Sequence, residues 1–287
     1  METVRNYLRL IRLGRALSAS FGVLFTGIVV GDLVEFQYIY IIACLVVFFS
    51  AVANFGLNDY SDIEADRRNY RVDRPLAQGQ LKPKTALLTA IISTALALIL
   101  SFLLNPVARL LIFLGLPTSL LYNLFLKRYI LLKNAFIGLA NVGVVLIGSL
   151  VSDLVLERLA LYIAVIGFFF SLSYETMLDI ADMEGDRAKG VNTIPNRFGV
   201  RNAMIFSLIF GFGAIIIDPL PFFIEIDSRL SGDYLFLSLI LLPVINRLFI
   251  SRSLLNDHSP ENIFRLKKRI FRNLQLGCLC YLIGFLL

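Results

Sequence analysis

The chain has 287 residues, of which 57% are hydrophobic and only 17% charged, and its mean hydropathy is +0.77. A soluble domain must face water with polar side chains and is not built from such a composition, so the apolar surface belongs in a bilayer. The net charge of +6 does not mark a nucleic-acid binder, because the basic residues are scattered over short segments between apolar runs rather than gathered on one module.

The first twenty residues, METVRNYLRLIRLGRALSAS, carry Arg5, Arg9, Arg12 and Arg15 ahead of an apolar stretch with no convincing cleavage site. They read as an interfacial amphipathic segment leading into an uncleaved first span. Runs able to cross a bilayer, each about 17–25 residues, lie at 16–31, 38–57, 85–104, 107–126, 134–152, 159–178, 202–217, 234–250 and 270–287. The prediction is an all-α integral membrane protein of nine transmembrane helices forming one domain over residues 1–287, with a tight turn at Asn105-Pro106. All 27 Lys and Arg except Arg109, Arg158 and Arg229 fall on the same side as the N-terminus, on alternate connections. By the positive-inside rule that side is the cytoplasm, and the protein belongs in the cell membrane.

Cys44, Cys278 and Cys280 all lie inside apolar runs and read as small buried hydrophobes rather than a disulfide framework. His258 is the only histidine. A metal site in this chain must therefore be made of oxygen ligands.

The second span ends in NDYSDIEAD, Asn58 to Asp66, and the sixth in DIADMEGD, Asp179 to Asp186. Asp59, Asp62, Glu64 and Asp66 align with Asp179, Asp182, Glu184 and Asp186 at an offset of about 120 residues, which implies an internal four-helix repeat with a ninth helix added. Aspartates at i, i+3 and i+7 lie within about 60° of one another on a helix, so each motif offers three carboxylates to one place. Six such groups at a membrane surface repel unless cations lie among them. Magnesium suits the need, since it takes oxygen ligands, keeps waters and is held by one or two carboxylates together with substrate phosphates. Arg67, Arg68, Arg71 and Arg74 follow the first motif, and Arg187 and Lys189 the second. Such cations engage a diphosphate; Arg74, Lys127 and Arg12 are the candidates.

Asn58-Asp59-x-x-Asp62-x-x-x-Asp66 with Asp73-Arg74-Pro75-Leu76, then Tyr122 and Lys127, then Asp179-x-x-Asp182-x-x-x-Asp186 with Thr193-Ile194-Pro195 and Gly199, resembles the UbiA superfamily of intramembrane prenyltransferases. The resemblance covers nearly the whole chain. It implies nine helices around a central cavity in which both motifs bind magnesium and an isoprenoid diphosphate. It makes Asn58, Asp62, Asp66, Asp179, Asp182 and Asp186 ligands of magnesium or its waters, and Lys127, Arg67 and Arg74 diphosphate contacts, and it sets Tyr122 near the allylic carbon. With Asp59 from the spacing, the expected metal set is Asn58, Asp59, Asp62, Asp66, Asp179, Asp182 and Asp186, for two magnesium ions. Asp62, Asp182, Tyr122 and Lys127 are the expected catalytic residues, and Arg67, Arg74, Lys127 and Arg12 the diphosphate-binding ones.

The expected reaction is prenyl transfer from an isoprenyl diphosphate to a lipophilic acceptor through a carbocation-like allylic carbon, with membrane lipid as the surroundings and no nucleic acid. The family includes enzymes for aromatic quinone precursors, haem and chlorophyll precursors, and archaeal ether lipids. Glu184-Gly185-Asp186 with Asn192-Thr193-Ile194-Pro195 looks like the ether-lipid and chlorophyll branches, whereas Tyr174-Glu175-Thr176-Met177-Leu178 departs from the ether-lipid pattern. A quinone-precursor or related ring acceptor is the first expectation, and geranylgeranylglyceryl phosphate the alternative. A cation-coupled transporter is a rival class, but its acids would sit in mid-span rather than at helix ends.

Overall fold

The computed structural model describes residues 2–33, 37–68, 71–124, 129–130, 132–188 and 190–286. Every regular element among them is helical, as apolar segments require when their backbone groups have no water to bond. In chain order they are α1 (Glu2–Leu10), α2 (Leu13–Val30), α3 (Tyr38–Ser61), α4 (Ile63–Arg68), α5 (Pro83–Ser101), α6 (Pro106–Leu124), α7 (Leu132–Asp153), α8 (Arg158–Ala181), α9 (Met183–Ala188), α10 (Ile194–Phe198), α11 (Val200–Ile217), α12 (Leu220–Phe223), α13 (Tyr234–Asn256) and α14 (Pro260–Leu286).

Eight spans among the described residues are long and apolar enough to cross a membrane: α2, α3, α5, α6, α7, α8, the Val200–Phe223 stretch and α13. The chain is therefore a multi-pass integral membrane protein, with eight such spans where nine were expected. The shortfall is the last. Helix α14 is long, but its first half carries Arg265, Lys267, Lys268, Arg269 and Arg272. The apolar remainder from Leu274 is short of the roughly 20 residues a bilayer core demands.

The chain folds as two compact units. One takes Met1–Gly27, Gly31–Arg128 and Gly143–Leu156; the other takes Ile28–Val30, Tyr129–Val142 and Glu157–Leu287. The 120-residue offset reappears in helix boundaries. Helices α3 and α8 each have 24 residues, α4 and α9 each have 6, and both pairs begin 120 positions apart. In the first unit the dominant packing is α3 on α5, and in the second α8 on α11, which is consistent with a repeated building block.

Small residues bring these helices together, as they do wherever lipid gives no hydrophobic drive for association. A Cβ on Gly56 of α3 would lie 3.1 Å from the Ala86 carbonyl of α5. On α8 and α11, Ser173 and Ser207 donate to each other's backbone carbonyls at 2.7 and 2.8 Å, with Gly211 alongside. Asn105 makes the predicted turn: its Oδ1 accepts from Ala108 N at the start of α6, while its Nδ2 donates to Leu150 O and Val151 O of α7. Arg247, counted with the loop cations from the sequence, instead lies buried within α13, 3.1 Å from Asp218 and against the Phe170 ring.

Candidate active site

Each acidic motif straddles a helix break. Helix α3 stops at Ser61, Asp62 takes φ −106° and ψ 5°, and α4 begins at Ile63. Asp182 does the same between α8 and α9, with φ −95° and ψ 7°. The single continuous helix assumed from the spacing is thus interrupted at the middle aspartate. The aspartates stay together because the backbone bonds run on: Asp62 N donates to Asn58 O and Asp66 N to Asp62 O, and likewise Asp182 N to Leu178 O and Asp186 N to Asp182 O. Arg71 N to Asp66 O and Val191 N to Asp186 O, again 120 positions apart, close each turn.

In the first unit Asp59 is 1% exposed and is held from two directions. Arg12 Nη2 donates to Asp59 Oδ1 at 2.5 Å and to Asn58 Oδ1 at 3.0 Å. Arg74 Nη1 reaches the same Asp59 oxygen at 2.9 Å, and its Nε lies 3.8 Å from Asp66 Oδ2. Arg12 sits between α1 and α2 in a left-handed conformation, φ 47°. For a residue with a Cβ that conformation costs roughly 1–2 kcal/mol. Burial, with the charge of Arg74 added, brings the Arg12 guanidinium down to about 10, which leaves it protonated at neutral pH. Leu76 anchors the loop that presents Arg74, packing with Leu10 and Ala86.

In the second unit one lysine does the bridging. Lys133 Nζ, at the start of α7, lies 2.7 Å from Asp179 Oδ1 and 2.9 Å from Asp186 Oδ2. Asn134 Nδ2 donates to Asp179 Oδ2 at 3.0 Å and to Thr176 Oγ1 at 3.1 Å. The segment after the motif packs over it: Ile194 and Pro195 are buried, and Asn196 Nδ2 donates to Met183 O of α9. Pro195 and Pro75 are a further pair 120 positions apart.

The predicted residues fall out as follows. Asn58, Asp59, Asp62, Asp66, Arg12 and Arg74 come together in the first unit, and Asp179, Asp182 and Asp186 in the second. Tyr122 is 8% exposed on α6. Arg67 is exposed, with its Nε donating to Ala77 O, and so staples the Arg74 loop to α4. Lys127 lies outside the described residues.

Lys133, Asn134 and Thr176 were not anticipated. The available signal was register: Lys133 stands 46 residues before Asp179, and Arg12 stands 47 before Asp59. Among the described residues no three His, Cys, Asp or Glu side chains form a ready metal cage. The donors present are nonetheless oxygens, and Asp59 Oδ2 is buried with no hydrogen-bond partner among the described residues. Magnesium fits such a site, because it is bound through few carboxylates and completes its shell with waters and phosphate oxygens.

A repeated set of acidic helix ends, each threaded with half-buried cations and carried on membrane-spanning helices, is suited to an anionic substrate at a membrane. A sequence profile of the UbiA prenyltransferase family matches residues 17–274. The chain belongs to that family and is a membrane prenyltransferase. It is 30% identical over 255 residues to digeranylgeranylglyceryl phosphate synthase of Methanosarcina barkeri, an alignment covering 83% of this chain and 85% of that one. A solved structure of a digeranylgeranylglyceryl phosphate synthase superimposes with a TM-score of 0.76 at 26% identity, over 99% of both chains. A UbiA homolog from Archaeoglobus fulgidus, solved with DMAPP and Mg2+, shares the fold with a TM-score of 0.69 at 20% identity, covering 96% of this chain and 99% of its own.

Proposed function

We propose that this prenyltransferase makes digeranylgeranylglyceryl phosphate, transferring a geranylgeranyl group from its diphosphate to geranylgeranylglyceryl phosphate. The observation that carries the reading is the likeness to digeranylgeranylglyceryl phosphate synthases over most of the chain, in sequence and in fold. It favours the ether-lipid acceptor over the ring acceptor first expected. The Tyr174–Leu178 segment that pointed away from this branch is explained by packing. Met177 is buried in the second unit's core, Thr176 holds Asn134, and Tyr174 stacks on Phe170.

In this reading Asn58, Asp59, Asp62, Asp66, Asp179, Asp182 and Asp186 hold two magnesium ions with the donor diphosphate. When bound, magnesium neutralises charge on the departing diphosphate. Arg12, Arg67, Arg74 and Lys127 bind its oxygens, an arrangement that stabilises charge where it develops. The allylic C1–O bond breaks toward diphosphate and a new C1–O ether bond forms to the glyceryl hydroxyl, whose proton passes to solvent. Tyr122 lies beside the allylic carbon, where an aromatic face stabilises positive charge. The distribution of Lys and Arg favours a cytoplasmic N-terminus and active site.

The test is an acceptor screen. Purified protein with magnesium, geranylgeranyl diphosphate and either geranylgeranylglyceryl phosphate or 4-hydroxybenzoate is read by product mass and diphosphate release. Digeranylgeranylglyceryl phosphate is the expected product; prenylation of the ring alone overturns the reading.

A further inference from the structure

Helix α3 carries Asn54 and Asn58 four residues apart on one face, Asp62 follows four further on at its C-cap, and α6 sets Asn123 against them. The four side chains form a chain of hydrogen bonds whose direction is fixed. Asn54 Nδ2 donates to Ser50 O at 2.9 Å, and Asn123 Nδ2 donates to Ser119 O at 3.1 Å. Backbone carbonyls only accept, so each of these amides must turn its NH2 toward its own helix. Asn123 Nδ2 also donates to Asn54 Oδ1 at 3.0 Å, which leaves Asn123 Oδ1 facing Asn58. Asn58 answers with its own NH2, to Asn123 Oδ1 at 3.3 Å and to Asp62 Oδ2 at 3.1 Å. Its carbonyl oxygen is thereby turned the other way, toward Arg12 Nη2 at 3.0 Å.

From this geometry we infer that Asn123 is a positioning residue for the prenyl-transfer site, working through Asn58. It sets which end of the Asn58 amide is an oxygen and thereby steadies Asp62. An amide presenting NH2 to a cation is repelled; one presenting oxygen is a ligand. Asn123 is 5% exposed, and burying an amide in a membrane helix is costly unless it is bonded. A helix contact alone would be served by the small residues used elsewhere on α3 and α5. The inference rests on the reading that the first motif binds a divalent cation.

Residues that orient metal ligands typically change metal affinity about 10–100-fold when removed. The probe is Mn2+, counted by electron paramagnetic resonance in detergent-solubilised full-length protein, with melting temperature recorded alongside. Asn123→Leu, which keeps the volume and removes the hydrogen bonds, is expected to weaken Mn2+ binding about tenfold. Asn54→Ala, at a half-buried position, is expected to weaken it about threefold and serves if the leucine variant does not fold. Asn58→Ala combined with Asn123→Leu is expected to bind no worse than Asn58→Ala alone. Wild-type affinity in both single variants, with or without a lower melting temperature, overturns the inference, as does full additivity in the double variant. Absence of Mn2+ binding by the wild-type protein would instead sink the reading beneath it.

Discussion

The two acidic motifs share spacing, helix break and backbone bonds, yet they are neutralised differently. In the first unit Asp59 is shared by two arginines from opposite directions, Arg12 before α2 and Arg74 in the loop after α4. In the second, among the described residues, Lys133 alone spans Asp179 and Asp186, and an amide, Asn134, takes the remaining Asp179 oxygen. Both units place a cation at the buried first aspartate, but from different elements. At the position equivalent to Arg74 the second unit has Ile194, fully buried among apolar neighbours. The first motif is therefore braced by guanidinium forks suited to planar, bidentate partners, and the second by a point charge.

The largest expected effect breaks this contrast at its weakest place. Lys133→Met leaves two buried carboxylates without their bridging cation, and breaking a buried pair from one side costs about 3–5 kcal/mol. Arg12→Met leaves Arg74 on Asp59 and should cost about 2 kcal/mol, the worth of hydrogen bonds to a charged group. Melting curves in detergent check the ordering; equal losses would mean the units do not differ in the way their contacts indicate.

The middle aspartates provide the second comparison, because both stand at the helix break and both are half-buried. Asp62→Ala and Asp182→Ala should each lower prenyl transfer by about 10²–10³-fold, on the scale of removing one charge-stabilising group, with melting temperatures near wild type. Near-normal activity in both variants would disprove the assignment of both motifs to the donor diphosphate. Loss in only one would assign the chemistry to one unit.

Much of this site was legible before any coordinates, and the limits are physical. Acidic residues in an otherwise apolar chain are costly and so conspicuous, and the repeat of Asp59, Asp62 and Asp66 as Asp179, Asp182 and Asp186 exposed the duplication directly. Lys133 escaped notice because positive-inside bookkeeping gives every loop cation a sufficient reason to exist. Asn54, Asn123, Asn134 and Thr176 escaped because a single amide or hydroxyl in a span is unremarkable until its partner is known, and those partners come from other helices. The ninth span was overcounted because its run was weighed apart from the charged half of α14, with which it is continuous.

Smaller effects sharpen the contrast further. Thr176→Val keeps the shape of the side chain and removes the Asn134 partner, so it should cost about 1 kcal/mol. It should leave the first unit untouched, which hydrogen exchange resolved by segment would show.

The smallest effect concerns acid. Burial alone would raise the Asp73 carboxyl, but hydrogen bonds from Arg71 and the charges of Arg71 and Arg74 bring it down to about 2. A carboxylate depressed on folding contributes stability that is present above its unfolded value, near 3.9, and is lost as pH falls toward 2. Since Asp73 is largely exposed, solvent screening keeps this contribution under about 1 kcal/mol. Thr193 holds the equivalent place in the second unit, 120 positions on, and has no charge to titrate. Asp73→Asn should therefore lower stability slightly at pH 7, and the difference from wild type should shrink steadily between pH 4 and pH 2. Thr193→Val should give a difference independent of pH over the same range. Melting temperatures of the two variants across that interval decide it, and a pH-independent Asp73→Asn difference would show that the Arg71 fork does not hold the Arg74 loop.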